Sequence, residues 1–352
     1  AFAFSPSSLN NPLGRRVVHV PLAAQKLVEG DDVENAKFLL SPGPSLSARD
    51  ARVSLPLATA AAMLFTPTLA NAKASTSTGF DKALKDYFPG AIPSTTVLLR
   101  VQSMLRKRQY YPYNTLIGTS ISSEEIVNTP TSVINQIRSK FSETKDGGVY
   151  TLGGLGGIPF AGVSGMYDML SHIQNDGKAL IIFGPNVGIS NDGAVGMVER
   201  IGRSDFGPDE SNGVVVRAYK ELTSKGSVSK SDGLDIEKDY IVKLLEEMPL
   251  KDYQAKEGGD SYAISKVTKN MYKITEGMIE NQVKTVISQK SPKFWDGVTE
   301  VTLMGGIFIN RGHGSGMEGG DDFFQPLMMK TITKGGDETD LYKDVFGDLG
   351  AY

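Results

Sequence analysis

The sequence predicts an α/β or mixed α+β fold, and two patterns carry this prediction. Short apolar runs with the composition of buried strands alternate with longer segments that repeat apolar residues at helical spacing. The predicted strands are 178–183, 194–201 and 298–310, and the later predicted helices are 166–172, 214–222, 235–248 and 263–289. Because helices that alternate with strands cover the faces of a sheet, this order indicates helices layered on a central sheet.

Serine residues mark the expected starts of the first helices. Ser94 is predicted to be the N-cap of a helix whose apolar face carries Val97, Leu98, Val101 and Leu105. The segment Ser122–Glu125 has the spacing of a capping box. The apolar face that follows it contains Ile126, Val133, Ile134, Ile137 and Phe141. Pro130 predicts a kink or a broken first turn within this stretch.

The middle of the chain combines a glycine-rich stretch with a predicted hairpin. Gly147–Gly165 matches neither Gly-x-Gly-x-x-Gly nor a loop ending in Gly-Lys-Ser/Thr, so close packing around a turn is favoured over phosphate binding. Lys178–Phe183 is a predicted strand, and Ala194–Ile201 is expected to pair with it around the turn at Asp192-Gly193. The final predicted strand is interrupted at Gly305-Gly306.

Residues 1–79 have the pattern of a targeting segment, and residues 80–352 are predicted to form the globular domain. Residues 5–50 suit a transit segment, although the acidic patch Glu29–Glu34 is unusual for one. A basic flank, the apolar run 55–69 and Ala70-Asn71-Ala72 then resemble an export signal, and the opening Ala-Phe resembles a secondary-plastid junction. A buried or interfacial helix and an uncleaved anchor remain alternatives. We therefore expect a chloroplast protein in the thylakoid lumen or at the thylakoid membrane.

The absence of cysteine is the most informative feature of the composition. The 352 residues include no cysteine and three widely separated histidines, His19, His172 and His313. This excludes disulfides, thiol catalysis and every cysteine-ligated zinc or iron–sulfur site. The formal net charge of -3 and the dispersed lysines and arginines favour no nucleic-acid partner.

Asn186 is the polar residue in the most promising position. It follows a predicted buried strand and a Gly-Pro turn, where α/β sheets usually bind ligands. It either binds a ligand, caps a turn or replaces a stronger ligand. Arg200 and Arg203 either hold an anion or pair with Glu124, whereas His172 and His313 are more readily explained as structural or exposed residues. No residue pattern indicates a catalytic site.

Six ordered segments together resemble the limiting-carbon-dioxide-inducible B/C family of algae, which includes the theta-type carbonic anhydrases. They are Gly118–Ile126, Gly153–Gly165, Ser171–Ile173, Leu180–Ile189, Gly196–Arg203 and Met304–Asn310. The resemblance covers residues 80 to 335. It implies a β-carbonic-anhydrase-like fold, with a mixed sheet that has a parallel core, helices on both faces and commonly a dimer.

The resemblance also implies a zinc site, and this chain departs from it at every ligand. The family holds zinc with Cys, His and Cys, which fall on Ser122, on Asn186 and on either Ser211 or Asn212; the acid position is Glu124 instead of Asp. Neutral Ser and Asn bind zinc far more weakly than thiolate and imidazole. Without the metal, water keeps its bulk pKa and supplies no hydroxide. We expect no catalytic residue, no metal ligand and no bound zinc.

The first functional hypothesis is a catalytically inactive carbonic-anhydrase-like protein that serves as a structural or regulatory subunit. Its expected partners are a homologous carbonic anhydrase subunit, a second copy in a homodimer, or a thylakoid membrane complex such as a photosystem with its antenna. The second hypothesis is a sensor that binds bicarbonate or another anion between Asn186, Arg200 and Arg203. The third is a carbonic anhydrase with an atypical metal site.

Overall fold

The fold is known from a computed structural model, which describes residues 79–142, 149–173, 176–200, 207–288, 297–312 and 322–347. The predicted targeting segment, residues 1–79, lies outside these ranges apart from Gly79. This includes its apolar run, and the structure therefore does not test the predicted domain boundary before Phe80. Within the described ranges, no helix is both long enough and apolar enough to cross a membrane.

The described residues form helices and strands throughout, with strands of two to fourteen residues. The helices are α1 (Gly79–Tyr87), α2 (Ser94–Lys107), α3 (Val133–Phe141), α4 (Gly162–Ser171), α5 (Gly213–Lys225), α6 (Ile236–Glu246), α7 (Leu250–Gln254), α8 (Gly259–Ser288) and α9 (Tyr342–Phe346). The strands are β1 (Ile92–Pro93), β2 (Thr115–Ser120), β3 (Tyr150–Thr151), β4 (Gly177–Phe183), β5 (Asn186–Ile189), β6 (Met197–Val198), β7 (Asp209–Glu210), β8 (Val298–Arg311), β9 (Phe323–Thr333) and β10 (Glu338–Asp340). This confirms the predicted α/β class.

The central sheet has a parallel core and an antiparallel edge. Its strand order is β1-β9-β8-β4-β2-β3, with β5 also paired to β8 and β10 to β9. The pairs β3–β2, β2–β4, β4–β8 and β5–β8 are parallel, whereas β9 runs antiparallel to β8, β1 and β10. This is the mixed sheet with a parallel core that the resemblance implies.

The sheet is covered by helices on both faces. Alternate residues of β4 enter two different cores, because successive side chains of a strand point to opposite faces. Ala179, Ile181 and Phe183 pack in the core that contains residues of α1, α4, α5, α6 and α8. Leu180 and Ile182 pack in the core that contains residues of α2, α3 and α9. Burial on both faces explains the continuous apolar run of this strand.

The predicted hairpin between 178–183 and 194–201 is wrong. Both edges of β4 are taken by the parallel strands β2 and β8, so no edge is left for a hairpin partner. The chain instead continues past Gly184-Pro185 into β5, which pairs with the second half of β8. Of the segment 194–200, only Met197–Val198 forms a strand, and its partner is Asp209–Glu210. Asn186 is consequently the first residue of a short strand.

Two predicted helix starts differ from the structure. Ser94 is the first residue of α2, and its hydroxyl donates to the backbone oxygen of Asp322 at 2.8 Å. Ser122–Glu125 forms no capping box; a 3-10 turn begins at Glu125, and the true N-cap is Ser132, whose hydroxyl accepts from the N–H of Asn135. The predicted break at Pro130 is confirmed, because this residue lies between the turn and α3.

The glycine-rich stretch packs closely against the sheet, as predicted. Gly157 has a φ of 78°, and a Cβ atom there would lie 2.5 Å from the backbone oxygen of Gly184. Such an approach admits only glycine. The stretch therefore fixes the chain beside the turn that precedes Asn186.

Candidate functional site

The structure brings the predicted site residues to one edge of the sheet. Ser122 lies two residues after β2, Asn186 begins β5, and Ser211 and Asn212 lie directly before α5. Because the carboxyl ends of parallel strands meet at the same edge, these loops converge there. All four residues are at most 5% exposed. The positions to which the family resemblance assigns zinc ligands therefore lie together in the structure.

Glu124 lies at the centre of this polar cluster. Its Oε2 accepts the backbone N–H of Asn212 at 2.8 Å, and its Oε1 accepts that of Gly213 at 2.9 Å. The Nδ2 of Asn186 donates to the same Oε2 at 3.1 Å. The first N–H groups of a helix have no partner within the helix and favour a negative charge, so the carboxylate caps α5 from a distant part of the chain.

Ser211, Asn212 and Ser122 complete the cluster. The Nδ2 of Asn186 lies 3.4 Å from the hydroxyl oxygen of Ser211, and the Nδ2 of Asn212 donates to the backbone oxygen of Asn186 at 3.2 Å. The backbone N–H of Glu124 donates to the hydroxyl of Ser122 at 3.4 Å. Asn212 has a φ of 57°, in the left-handed region that Asn tolerates better than most residues.

Asn310 belongs to the cluster, and the sequence reasoning missed it as a site residue. Its Oδ1 accepts from the Nδ2 of Asn186 at 3.4 Å, and its own Nδ2 donates to the backbone oxygen of Ile126 at 3.0 Å. The signal available was its place near the carboxyl end of a predicted strand, in a segment already included in the family resemblance. The bond to Ile126 fixes which atom of the Asn310 amide faces Asn186.

Arg200 is bound by acidic and backbone oxygens around the cluster. It forms an ion pair with Glu125, and its Nη2 donates to the backbone oxygen of Glu210 at 3.0 Å. The guanidinium also lies 3.9 Å from a carboxylate oxygen of Glu124 and 4.0 Å from one of Asp209. Arg203, the other predicted anion-binding residue, lies outside the described residues. Of the two interpretations of Arg200, the geometry favours pairing with Glu124 and its neighbours.

The groove outside the cluster has more negative than positive groups. It has a volume of about 710 Å³. Its charged lining residues are the four carboxylates Glu124, Glu125, Asp209 and Glu210 and the two guanidiniums Arg200 and Arg217. An anion that enters this groove therefore meets a net negative lining.

The residues at the implied ligand positions do not fit zinc. Asn186 turns its Nδ2 toward acceptors on Glu124, Ser211 and Asn310, and an amide N–H₂ group donates hydrogen bonds instead of binding metals. Its Oδ1 is buried without a hydrogen-bond partner among the described residues, but a single neutral oxygen is not the donor set of a zinc site. Within the described ranges, no group of three His, Cys, Asp or Glu side chains is arranged to hold a metal ion.

The remaining polar candidates lie away from the cluster or have structural partners. His172 is the C-cap of α4, exposed rather than partly buried, with its Nδ1 2.7 Å from the backbone oxygen of Asp168. The buried acidic residue Asp322 also has structural partners, because it accepts from the hydroxyl of Thr129 at 2.7 Å and from the N–H of Arg311 at 3.2 Å. His313 lies outside the described residues.

The chain is similar to one family of known proteins. The model of the limiting CO2-inducible proteins B/C beta carbonic anhydrases matches residues 91–333. The crystal structure of PtLCIB4, a homolog of the limiting CO2-inducible protein LCIB, is 25% identical with a TM-score of 0.61, and the match covers 74% of this chain and 98% of that chain. A mutant of PtLCIB4 gives 24% identity and 0.61 over the same shares. The crystal structure of LCIB gives 18% identity and 0.48, over 76% of this chain and 98% of that chain. No curated protein matches the chain.

Proposed function

We propose that the chain, which belongs to the family of limiting CO2-inducible proteins B/C beta carbonic anhydrases, is a catalytically inactive member that serves as a structural or regulatory subunit. One observation carries this proposal. A chain without cysteine cannot supply the thiolates of the family's zinc site, and the residues at those positions are hydrogen-bonded to one another. Zinc hydroxide chemistry therefore has no metal-binding residues to start from.

The hydrogen bonds of Glu124 support a structural role for the former ligand positions. Its carboxylate joins the loop after β2 to the first N–H groups of α5, and Asn186 joins both to the start of β5. The Glu124 carboxylate thus connects the three loops that hold the positions matching the family's zinc ligands. These hydrogen bonds stabilise one arrangement of the three loops, and the Oδ1 of Asn186 is the acceptor in the cluster that has no partner among the described residues.

The alternative of a bicarbonate or anion sensor has less support from the same contacts. Arg200 already binds Glu125 and the backbone oxygen of Glu210, and Glu124 takes the N–H groups of Asn212 and Gly213. A bound bicarbonate would have to displace one of these carboxylates. An atypical metal site also has little support, because in the polar cluster the unpartnered oxygen that could bind a metal is the neutral Oδ1 of Asn186.

The proposed location is the chloroplast, in the thylakoid lumen or at the thylakoid membrane. The transit-like residues 5–50 and the export-like residues 52–72 support it. The proposed partners are a homologous carbonic anhydrase subunit, a second copy, or a thylakoid complex such as a photosystem with its antenna. Affinity purification of the full chain from thylakoids is expected to recover one such partner in a defined ratio. Recovery that is unchanged after deletion of residues 1–79 would argue against attachment through that segment.

Restoration of the ligands tests the site itself. Ser122→Cys, Asn186→His and Ser211→Cys together are expected to give a chain that binds about one zinc, because zinc–thiolate and zinc–imidazole bonds outweigh the hydrogen bonds they replace. Ser211 is preferred to Asn212, since its hydroxyl already lies beside the Asn186 side chain. The double variant without Asn186→His is the matched control. A folded triple variant that binds no zinc would contradict the assignment of these positions.

A further inference from the structure

A large cleft lies between α8 and the strand β9, away from the polar cluster described above. Its volume is about 700 Å³, within the range of about 300–1,000 Å³ that is typical of small-molecule sites. Its lining comes from α8, β9, β10 and the start of α9, and it includes none of the residues of the polar cluster. A ligand here would therefore bind independently of the former zinc positions.

Three lysines of α8 line this cleft in a single row. Lys266, Lys269 and Lys273 follow one another at spacings of three and four residues, which places them on one face of the helix. Like charges at these spacings destabilise an isolated helix. Burial lowers the pKa of Lys269, and the charge of Lys266 lowers it further. The row thus concentrates positive charge that an anion in the cleft would compensate.

The other end of the cleft is already neutralised. Lys330 lies 2.6 Å from a carboxylate oxygen of Glu280 and 3.1 Å from one of Glu338, and Lys284 contacts the same two acids. The ion pairs found among the described residues include neither Lys266 nor Lys273. Positive charge therefore remains at the end of the cleft formed by the first half of α8.

The acidic groups that line the cleft leave this excess in place. Glu276 accepts a hydrogen bond from the hydroxyl of Tyr272, and burial raises the pKa of this carboxyl group. Asp340 accepts the backbone N–H of Tyr342 at 2.8 Å. Apart from the ion-paired Lys330, three ammonium groups and two carboxyl groups line the cleft, in a chain whose net charge is -3.

The floor of the cleft is apolar. It consists of the lining residues Leu327 and Met328 of β9 and the rings of Tyr272 and Tyr342. An apolar floor with cations at one end matches a ligand that has an apolar body and one charged group. A free inorganic anion would leave this floor uncovered.

We propose that the cleft between α8 and β9 binds a small organic anion, with a carboxylate, sulfonate or phosphate on an apolar body. The anionic group lies against Lys266, Lys269 and Lys273, and the apolar body covers Leu327 and Met328. This site extends the function of the chain beyond that of an inactive carbonic-anhydrase scaffold.

Fluorescence titration of the full chain with 1-anilinonaphthalene-8-sulfonate tests the proposal. This probe carries one sulfonate on an apolar ring system, and N-phenyl-1-naphthylamine is the same ring system without the charge. We expect saturable binding of the sulfonate at one site and weaker binding of the neutral compound. Loss of one charge-assisted contact in Lys269→Met should weaken sulfonate binding about tenfold while the neutral compound is unaffected.

Lys251→Met is the matched control, because this lysine is exposed on α7, outside the cleft. If Lys269→Met does not fold, Lys273→Met carries the test, since that side chain is exposed and its loss leaves the core intact. Equal sulfonate affinity in the cleft variant and in Lys251→Met would overturn the proposal. Failure to bind the probe, together with an apparent molar mass that rises with protein concentration, would also overturn the proposal. In that case a second copy of the chain would cover the cleft.

Discussion

Replacement of Glu124 by Gln tests whether the central carboxylate holds together the loops that carry Ser122, Asn186 and Asn212. The carboxylate accepts the N–H groups of Asn212 and Gly213, and Gln offers one oxygen in place of two. One buried N–H loses its acceptor, at a cost of about 1–3 kcal/mol. The lost charge at the start of α5 adds about 0.3–1 kcal/mol. Glu124→Gln should therefore lower the free energy of unfolding by about 1–4 kcal/mol.

Thermal unfolding followed by far-UV circular dichroism measures this effect. A domain of roughly 270 residues has an unfolding entropy of about 0.57 kcal/mol/K, so the loss corresponds to a decrease in Tm of about 2–7 °C. Glu125→Gln is the matched control, because the neighbouring carboxylate also pairs with Arg200 but its side chain is 73% exposed. An exposed ion pair contributes less than about 1 kcal/mol. Equal Tm values for the two variants would refute the proposed role of Glu124.

The turn before Asn186 and the acid–base cluster at β10 give two further predictions. Gly184→Ala should lower the free energy of unfolding by at least about 3 kcal/mol, because the added Cβ would lie 1.8 Å from the backbone oxygen of Gly306. Gly162 also has a positive φ but has open space around it, so Gly162→Ala should lower the free energy of unfolding by about 1 kcal/mol. Chemical denaturation compares the two, and similar losses would contradict the packing argument. Hydrogen bonds from Lys330 and Lys284 hold the pKa of Glu338 below its usual 4.5. The ionised carboxylate therefore stabilises the fold above about pH 4.5, and this stabilisation is lost as the pH falls through the lowered pKa. Glu338→Gln should therefore lower the Tm slightly at pH 7 and by less at pH 3, and a decrease at least as large at pH 3 as at pH 7 would contradict this sign.

The helices and the buried parallel strand could be predicted from the sequence because their signals are local. The apolar spacing of 214–222, 235–248 and 263–289 corresponds to α5, α6 and α8, and the run 178–183 corresponds to β4. The N-cap predicted at Ser94 was displaced by one residue, whereas the capping box predicted at Ser122 lies well before the true N-cap, Ser132. Both serines have the local pattern of an N-cap, and that pattern does not show which serine a helix uses.

Strand pairing could not be predicted because it depends on contacts between distant residues. The segment 194–201 has strand-like composition, but β4 already has two parallel neighbours. The strand β9 was not predicted from the sequence, and it contains Pro326, a residue that is unfavourable in the interior of a sheet. Gly306 pairs with Pro326 and Gly305 with Met328, so Leu327 is an extra residue in β9 and the register shifts beside the proline. The strand β8 itself continues through Gly305-Gly306, so the predicted interruption there is wrong.

The candidate site was predicted mainly from the family resemblance, and its internal contacts were not. Residues at family ligand positions must converge if the fold is shared, and Ser122, Asn186 and Ser211 do lie at the same edge of the sheet. That Glu124 caps α5 could not be read from spacing, since 88 residues separate it from Asn212. Asn310 was missed for the same reason.

The metal content of the unmodified full chain, measured together with CO2 hydration, tests the central claim most directly. Elemental analysis of purified protein should find well under one zinc per chain, and hydration should not exceed that of buffer alone. The chain with Ser122→Cys, Asn186→His and Ser211→Cys, measured alongside, provides the positive control for zinc binding. One zinc per unmodified chain with CO2 turnover above buffer would contradict the account.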